Sequence, residues 1–154
     1  MGRSGGTHLC RPASQACLPM PDYQLFGGVL RSELDFPGLV PAIAEPPHWR
    51  LVQVADAPPV PSAVPLGTED VQAGVTVTVF RAGQAIRLVF DDTGIFDVSE
   101  DGKRIAWTPP LAPNMEAVRI DILGRVFAVA LDQEGVIALH GSAVALGGVA
   151  VAFL

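Results

Sequence analysis

The last twenty residues of the chain, Gly135–Leu154 (GVIALHGSAVALGGVAVAFL), contain no Asp, Glu, Lys or Arg. Uncharged apolar runs of about 18 residues or more are typical of membrane helices. This run, however, is rich in Val and Ala, and a Gly147-Gly148 pair divides it into two pieces of strand length. A type I′ turn needs a positive φ at both central residues, which two glycines supply. The sequence therefore predicts a buried β-hairpin, with strands Val136–Leu146 and Val149–Leu154, rather than a membrane span.

An amphipathic helix is predicted just before this hairpin. Asn114 is a residue type that caps helices, and Glu116 places an acid in the first turn, where the helix dipole favours one. Apolar residues then recur at spacings of three and four, which predicts one apolar stripe: Met115, Val118, Ile122, Val126 and Val129. Others widen this surface, so that we expect a buried helix: Ala117, Ile120, Leu123, Phe127 and Ala130.

The end of this helix and its more solvent-exposed (wetter) side are also predicted. We expect the helix to end near Asp132, because Gly135 can adopt the left-handed conformation that stops a helix. Asp121 and Arg125 are four residues apart, so we expect them to pair on the wetter side. Asp132 is expected on the same side.

Proline dominates the span 37–65, which holds eight of the fourteen prolines. Proline lacks a backbone N–H and fixes φ, so little of this span can lie inside a sheet. The exception is Trp49–Val54, which we predict to be an edge strand. Residues 23–34 mix aromatic and β-branched side chains around a Gly-Gly pair and predict a first strand or short hairpin.

A regular pattern begins near Val71 and predicts an antiparallel meander. Its four strands are Val75–Phe80, Ala85–Phe90, Ile95–Val98 and Arg104–Trp107. The acids at its turns, including Asp91, Asp92 and Asp97, are interpreted as solvated hairpin tips. We therefore predict an α+β fold with three parts: a disordered arm at 1–22, an antiparallel β-rich region at 23–108, and a helix plus hairpin at 109–154.

Composition excludes several classes of protein. Sixteen Asp and Glu outnumber ten Lys and Arg, Lys103 being the only lysine, and the net charge of −6 argues against a nucleic-acid surface. Two cysteines, Cys10 and Cys17, exclude a disulfide-stapled miniprotein. Together with His8 and His48 they match no common zinc spacing, so we expect no metal site.

We do not expect the first twenty residues to form a secretory signal. Arg11, Pro12, Ser14 and Gln15 interrupt the apolar stretch that such a signal requires. We interpret this segment as a loose arm or the product of a misplaced start codon, and we expect a cytoplasmic protein.

The order of helix, apolar strand, glycine turn and second apolar strand resembles the segment that leads into the phosphate loop of HPr kinase/phosphorylase-like P-loop proteins. The residues that carry this resemblance are His140-Gly141-Ser142-Ala143-Val144 and Gly148–Leu154. Three earlier features are similar to the amino-terminal part of shorter bacterial homologues: Tyr23–Leu34, the hairpin from Phe96 to Gly102 with Ile105, and the helix from Glu116.

This resemblance implies that residues 109–154 begin a P-loop kinase core, just before the Walker A loop GxxxxGK[ST]. It implies that the parent protein uses ATP and Mg²⁺ to phosphorylate a serine of a phosphoacceptor protein. The chain itself lacks that loop and the downstream carboxylates of the family, so we expect it to bind no ATP and to be inactive. Because the sequence stops within an apolar strand, we expect a fragment or a shortened reading frame.

His140 is the candidate catalytic residue. The matching histidine of the family lies near the phosphate site, which implies that His140 contacts phosphate or orders a catalytic carboxylate. The other interpretation is a neutral imidazole bonded to backbone carbonyls of a sheet. Ser142 lacks the Gly-x-Ser-x-Gly context of an activated nucleophile, and we interpret it as a small core residue.

A non-enzymatic function is the alternative, since no complete catalytic constellation is present. In this hypothesis the chain is a β-rich adaptor, and its apolar hairpin completes the sheet of a partner subunit or of a second copy.

Overall fold

The computed structural model describes residues 20–43, 45–60, 62–139 and 141–153. Eight strands form one sheet, in the order β1-β2-β3-β8-β7-β6-β5-β4. Their bounds are Asp22–Leu25 (β1), Gly28–Ser32 (β2), Trp49–Gln53 (β3), Val64–Gln72 (β4), Val75–Ala82 (β5), Ala85–Phe90 (β6), Gly94–Val98 (β7) and Arg104–Thr108 (β8). The predicted arm lies outside the described residues up to residue 19, and its last position, Asp22, already belongs to β1.

A helical segment and a hairpin follow the sheet. The segment consists of α1 (Met115–Asp121), a π-helical turn (Ile122–Val126) and α2 (Phe127–Gln133), and the hairpin of β9 (Ser142–Leu146) and β10 (Val149–Phe153). The prediction of an α+β fold is confirmed, with one large sheet and one helical segment.

The sheet is mixed rather than antiparallel throughout. Strands β5 to β8 form the predicted antiparallel meander, and β4 pairs antiparallel with β5. In contrast, β3 runs parallel to both β2 and β8. The prediction that Trp49–Val54 is an edge strand was wrong, because β3 lies between two neighbours and its Trp49 and Leu51 are buried. The prolines flank β3 without entering it, so its backbone groups can bond on both sides.

Strand β4 was not predicted, because Val64–Gln72 contains Pro65 and Gly67. It lies at the edge of the sheet and pairs only with β5 among the described strands, so a missing N–H is tolerated there. Irregularities between Pro65 and Gly67 and between Asp70 and Gln72 interrupt its register. Proline, charge and bulges are devices that keep exposed strand edges from pairing with other chains.

The proline-rich connection from β3 to β4 crosses the sheet on the face away from the helix. On β6, Ile86 and Leu88 belong to the hydrophobic core, whereas Arg87 lies between them on the opposite face. Its guanidinium Nη2 donates to the carbonyl oxygen of Pro58 at 2.8 Å. The connection is thereby held against the strands that it crosses.

The helical segment packs on the other face of the sheet, through five side chains that are 0% exposed: Val118, Ile122, Val126, Phe127 and Ala130. The predicted apolar stripe is confirmed in its central part, whereas Ile120, expected to widen it, is 66% exposed. The Asn114 side chain accepts from the backbone N–H of Glu116 at 3.1 Å, which confirms the predicted cap. The helix ends at Gln133, and Gly135 follows with a φ of +77°.

The prediction that Asp121 pairs with Arg125 on the wetter side was wrong. Asp121 is only 7% exposed and accepts a hydrogen bond from the hydroxyl of Thr93 at 2.7 Å. Arg125 instead pairs with Glu69 of β4 at 2.9 Å. The helix is turned so that Asp121 lies towards the sheet, where Thr93 supplies a donor.

The turn of the hairpin forms as predicted, but its first strand is shorter than predicted. Gly147 and Gly148 have φ values of +59° and +81°, and Val149 pairs with Leu146. The first strand begins at Ser142 rather than Val136, since Val136–Leu139 is exposed and has no strand partner among the described residues. No helix in the described part of the chain is both long and apolar enough for a membrane span.

Candidate functional site

The prediction that the hairpin is buried was wrong, because both faces of its apolar strands β9 and β10 are exposed. His140 lies outside the described residues, and Ser142, expected in the core, is exposed on β9. Large apolar side chains along the two strands are between 52% and 83% exposed: Val144, Leu146, Val149, Val151 and Phe153. Because a two-stranded hairpin is marginally stable alone, apolar strands of this kind require a covering layer.

A hydrogen-bond network holds the helix end from which the chain continues towards this hairpin. Glu134, the C-cap of α2, has one carboxylate oxygen 2.7 Å from Nε2 of His48. Its other oxygen accepts from the indole N–H of Trp49. The Glu134 side chain is 13% exposed and that of His48 is 43% exposed. One mostly buried carboxylate thus joins the end of the helix to the start of β3.

The β7–β8 turn packs against the same helix end. Gly102 has a φ of +70°, and a Cβ at this position would overlap the carbonyl oxygen of Ala130 and approach Cγ of Glu134. Glycine is therefore required at this turn both by its φ and by the close approach of the helix. Three elements meet at Glu134: β3, the β7–β8 turn and α2.

Sequence reasoning did not bring these groups together. His48 was considered only as a zinc ligand, and Glu134 was not singled out. The one available signal is that Glu134 stands at a helix C-terminus, where the dipole disfavours an acid. An acid in that place indicates a specific partner, although the sequence does not identify it.

A second polar cluster is buried beneath the helix at the β6–β7 turn. Burial raises the pKa of the Asp121 carboxyl; the Thr93 hydrogen bond opposes this, while the nearby charge of Asp92 adds to it. Thr93 is 0% exposed, and its carbonyl accepts from the indole N–H of Trp107 at 2.9 Å. Oδ1 of Asp92 is buried and has no hydrogen-bond partner among the described residues, so this acid is not the solvated tip that we predicted.

The third charged group, the Arg87–Asp97 pair, is structural. Asp97 was predicted at a solvated tip, but it lies within β7 directly opposite Arg87, and this prediction was wrong. Nε of Arg87 donates to Oδ1 of Asp97 at 2.6 Å, and Nη2 donates to Oδ2 at 2.7 Å. This bidentate hydrogen bonding raises the pKa of Arg87. The arginine satisfies both the carboxylate and the Pro58 carbonyl, which explains its burial.

The described residues do not bring together a metal site of three or more His, Cys, Asp or Glu side chains. Lys103, the only lysine of the chain, lies in the β7–β8 turn, outside any glycine-rich phosphate loop. In comparisons with known proteins, no family model, no curated protein and no solved structure matches the chain.

Proposed function

We propose that the chain is the amino-terminal part of an HPr-kinase-like, ATP-dependent protein serine kinase. The observation that supports this most directly is the β9–β10 hairpin, in which two uncharged apolar strands flank a Gly147-Gly148 turn after a buried helix. In the resembling family this order leads into the phosphate loop. The exposed faces of the hairpin are then the faces that the rest of the nucleotide-binding core covers.

The β-rich region has a positioning role in this proposal. Glu134 is bonded to His48 and Trp49 and lies against Gly102, so the helix end before the hairpin is held to the sheet at several points. Such an anchor sets the direction from which the chain enters the kinase core. In the resembling family the matching histidine lies near the phosphate site, and on this basis His140 is proposed to contact phosphate or to order a catalytic carboxylate.

ATP and Mg²⁺ belong to the parent protein rather than to this chain. A phosphate loop binds through successive backbone N–H groups, a lysine and a Ser or Thr, and GxxxxGK[ST] does not occur in the 154 residues. Mg-ATP supplies the γ-phosphoryl group that the serine hydroxyl of the acceptor receives. The fragment alone is inactive, and the parent is a cytoplasmic enzyme.

The test begins with the coding DNA beyond the codon for Leu154. We expect GxxxxGK[ST] within a few residues, and any other continuation removes the kinase proposal. The extended protein should bind Mg-ATP in a calorimetric titration and transfer label from γ-labelled ATP to a serine. Replacing its loop lysine by Ala should abolish both, whereas His140→Ala should reduce transfer while retaining ATP binding.

The second candidate is the β-rich adaptor, and a specific feature favours it. Strands β9 and β10 have free outer edges among the described residues and carry no charge, proline or bulge, in contrast to β4. Unprotected edges of this kind pair with other strands. If the purified chain stays monodisperse at high concentration without a partner, the adaptor hypothesis fails.

A further inference from the structure

Three arginines stand side by side across the parallel part of the sheet. Arg31 of β2 is directly opposite Arg50 of β3, and Arg50 is directly opposite Arg104 of β8. Successive side chains of a strand point to opposite faces of the sheet. The arginines therefore lie on the face away from the helix, because their neighbours along the strands belong to the core beneath it: Leu30, Trp49, Leu51 and Ile105.

The first arginine of this row is paired with an acid. Nε and Nη2 of Arg31 donate to the two carboxylate oxygens of Asp22 at 2.8 Å and 2.7 Å. These hydrogen bonds are the main reason that the pKa of Asp22 is lowered; burial opposes the effect, and the charges of Arg31 and Arg50 add to it. The carboxylate of Asp22 thus neutralises Arg31 with both of its oxygens.

The other two arginines of the row have no acid of their own. Arg50 and Arg104 are exposed and form no ion pair within the described ranges. The residues outside those ranges include no Asp or Glu. Glu33, just beyond β2, accepts from the backbone N–H of Gln53 at 2.7 Å. Like charges directly opposite each other on neighbouring strands destabilise a sheet, and an external anion between them would remove this repulsion.

The strands fix the spacing of the two unpaired arginines. Leu51 and Ile105, which follow Arg50 and Arg104 in the chain, are each 0% exposed. The backbone N–H of Arg50 donates to the carbonyl of Lys103 at 2.9 Å. Neighbouring strands lie about 4.8 Å apart, so the two side chains start from positions that one small anion can reach together. Binding would order two side chains and no backbone, which limits its entropic cost.

A phosphate group suits this pair better than a carboxylate does. A guanidinium donates two parallel N–H bonds to the oxygens of a carboxylate or a phosphate. One guanidinium already occupies both oxygens of a carboxylate, as Arg31 does with Asp22. A tetrahedral phosphate has oxygens left for a second guanidinium. Its charge of about −1.5 to −2 as a monoester at pH 7 also balances two cations.

A polyanion is disfavoured at the same place. The chain carries a net charge of −6, and Asp22 and Glu33 lie beside the row. A nucleic acid needs a wide cationic face, because its affinity grows with the number of phosphates that are neutralised. Two unpaired arginines with acids next to them fit one phosphate group rather than a chain of them.

We infer that Arg50 and Arg104 form a binding site for a single phosphate group, either the free ion or the group of a small phosphate monoester. The two guanidinium groups donate to different oxygens of the phosphate, while Arg31 stays paired with Asp22. The inference does not depend on the kinase proposal, because the site uses no residue of the helix or of the hairpin.

The test is an NMR titration of the 154-residue chain near neutral pH and at constant ionic strength. Phenyl phosphate should shift the backbone resonances around residues 31, 50 and 104 and saturate at millimolar concentration or below. Benzoate and benzenesulfonate keep the ring but carry a single negative charge, so each should bind at least about fivefold more weakly. Equal binding of the three anions, shifts elsewhere, or no binding overturns the inference.

Inorganic phosphate distinguishes the two sources of the group. An affinity equal to that of phenyl phosphate assigns the site to the free ion. An affinity about tenfold weaker assigns it to an ester, whose organic part adds contacts of its own. Both results support a phosphate site, whereas no binding of inorganic phosphate together with equal binding of the three ring compounds shows that only the ring binds.

Variants test the two arginines. Arg50→Gln and Arg104→Gln should each weaken phenyl phosphate binding about tenfold, because each removes one charge and one pair of donors. Arg50→Lys keeps the charge without the paired donors and should weaken binding about threefold. Arg50→Gln should not lower the thermal midpoint of the free protein, since it removes a repulsion between like charges.

Arg81→Gln is the matched control. Arg81 is an exposed arginine of β5 that forms no ion pair within the described ranges, and it lies outside the row. Its replacement lowers the charge of the chain by the same amount and should leave phenyl phosphate binding unchanged. A loss equal to that of Arg50→Gln would show that overall charge, rather than a site, attracts the anion, and would overturn the inference.

Discussion

Glu134 and His48 are 86 residues apart in the chain, yet a carboxylate oxygen of the first lies 2.7 Å from Nε2 of the second. The same carboxylate accepts from Trp49, so one side chain at the end of the helix is bonded to two residues at the start of β3. The contact joins the sheet to the point from which the chain leaves for the hairpin.

Glu134→Ala should lower the free energy of unfolding by about 2 kcal/mol, because it leaves the buried indole N–H of Trp49 without an acceptor. Urea denaturation measures the change. Asp132→Ala, exposed at the same helix end, is the matched control and should stay within about 0.5 kcal/mol of the parent chain. His48→Ala should couple to Glu134→Ala by no more than about 1 kcal/mol, since His48 is partly exposed. Equal effects of the Glu134 and Asp132 variants would contradict this account.

Asp121 should make stability depend on pH in a direction opposite to that of a salt-bridged acid. Burial raises its pKa in the folded state above the ordinary 3.8. The stability that Asp121 contributes to the folded state is therefore fully present below the pKa of the unfolded chain. It is lost as the pH rises through the raised pKa of the folded state. Asp121→Asn, whose amide oxygen can still accept from Thr93, should stabilise the protein more at pH 7 than at pH 4. Urea titrations across that range test this, and a constant difference would count against it.

Asp97→Ala should destabilise the protein by about 3 kcal/mol, because it leaves the nearly buried Arg87 cation without its carboxylate. The double variant Arg87→Leu with Asp97→Val should recover most of that loss, since apolar side chains of similar size can replace a buried ion pair. Thermal and urea unfolding measure both. A double variant no more stable than Asp97→Ala would show that the charges themselves are required.

Gly102→Ala should be more destabilising than Gly74→Ala, although both glycines have a positive φ. At Gly74 a Cβ would meet nothing within 4 Å, so only the left-handed backbone matters, at about 1–2 kcal/mol. At Gly102 the Cβ would also overlap the carbonyl of Ala130. Comparison of the two urea midpoints tests this packing, and similar losses would argue that the turn does not press on the helix.

The exposed hairpin should cause self-association. Light scattering should report a mass above that of the monomer as concentration rises, and the double variant Val144→Lys with Leu146→Lys should restore the monomer, because charge on a strand opposes edge pairing. Ile137→Lys, at an exposed position outside the strands, is the control and should have little effect. If the extended protein is a kinase, its core covers the hairpin and the parent should not associate through it.

Local patterns were enough to predict the meander, the Asn114 cap and the Gly147-Gly148 turn, because each depends on neighbouring residues. The position of β3 was not predictable in this way, since its partners β2 and β8 are parallel and one of them follows far along the chain. The burial of Asp121 escaped prediction for a similar reason: it depends on Thr93, a donor in another element. The Glu134–His48 contact has no local pattern beyond an acid in an unfavourable place.

The parallel pairing of β3 with β8 also fixes an order of assembly. Arg50 lies opposite Arg104, and the whole of β4 to β7 is synthesised between them. On the ribosome β3 must wait for four further strands before its second neighbour exists, so pairing at the centre of the sheet depends on slow, long-range loop closure. Cleavage between β3 and β4 would accordingly leave two pieces with complementary open edges, which makes the proline-rich connection a natural place to divide this protein into a reassembling pair.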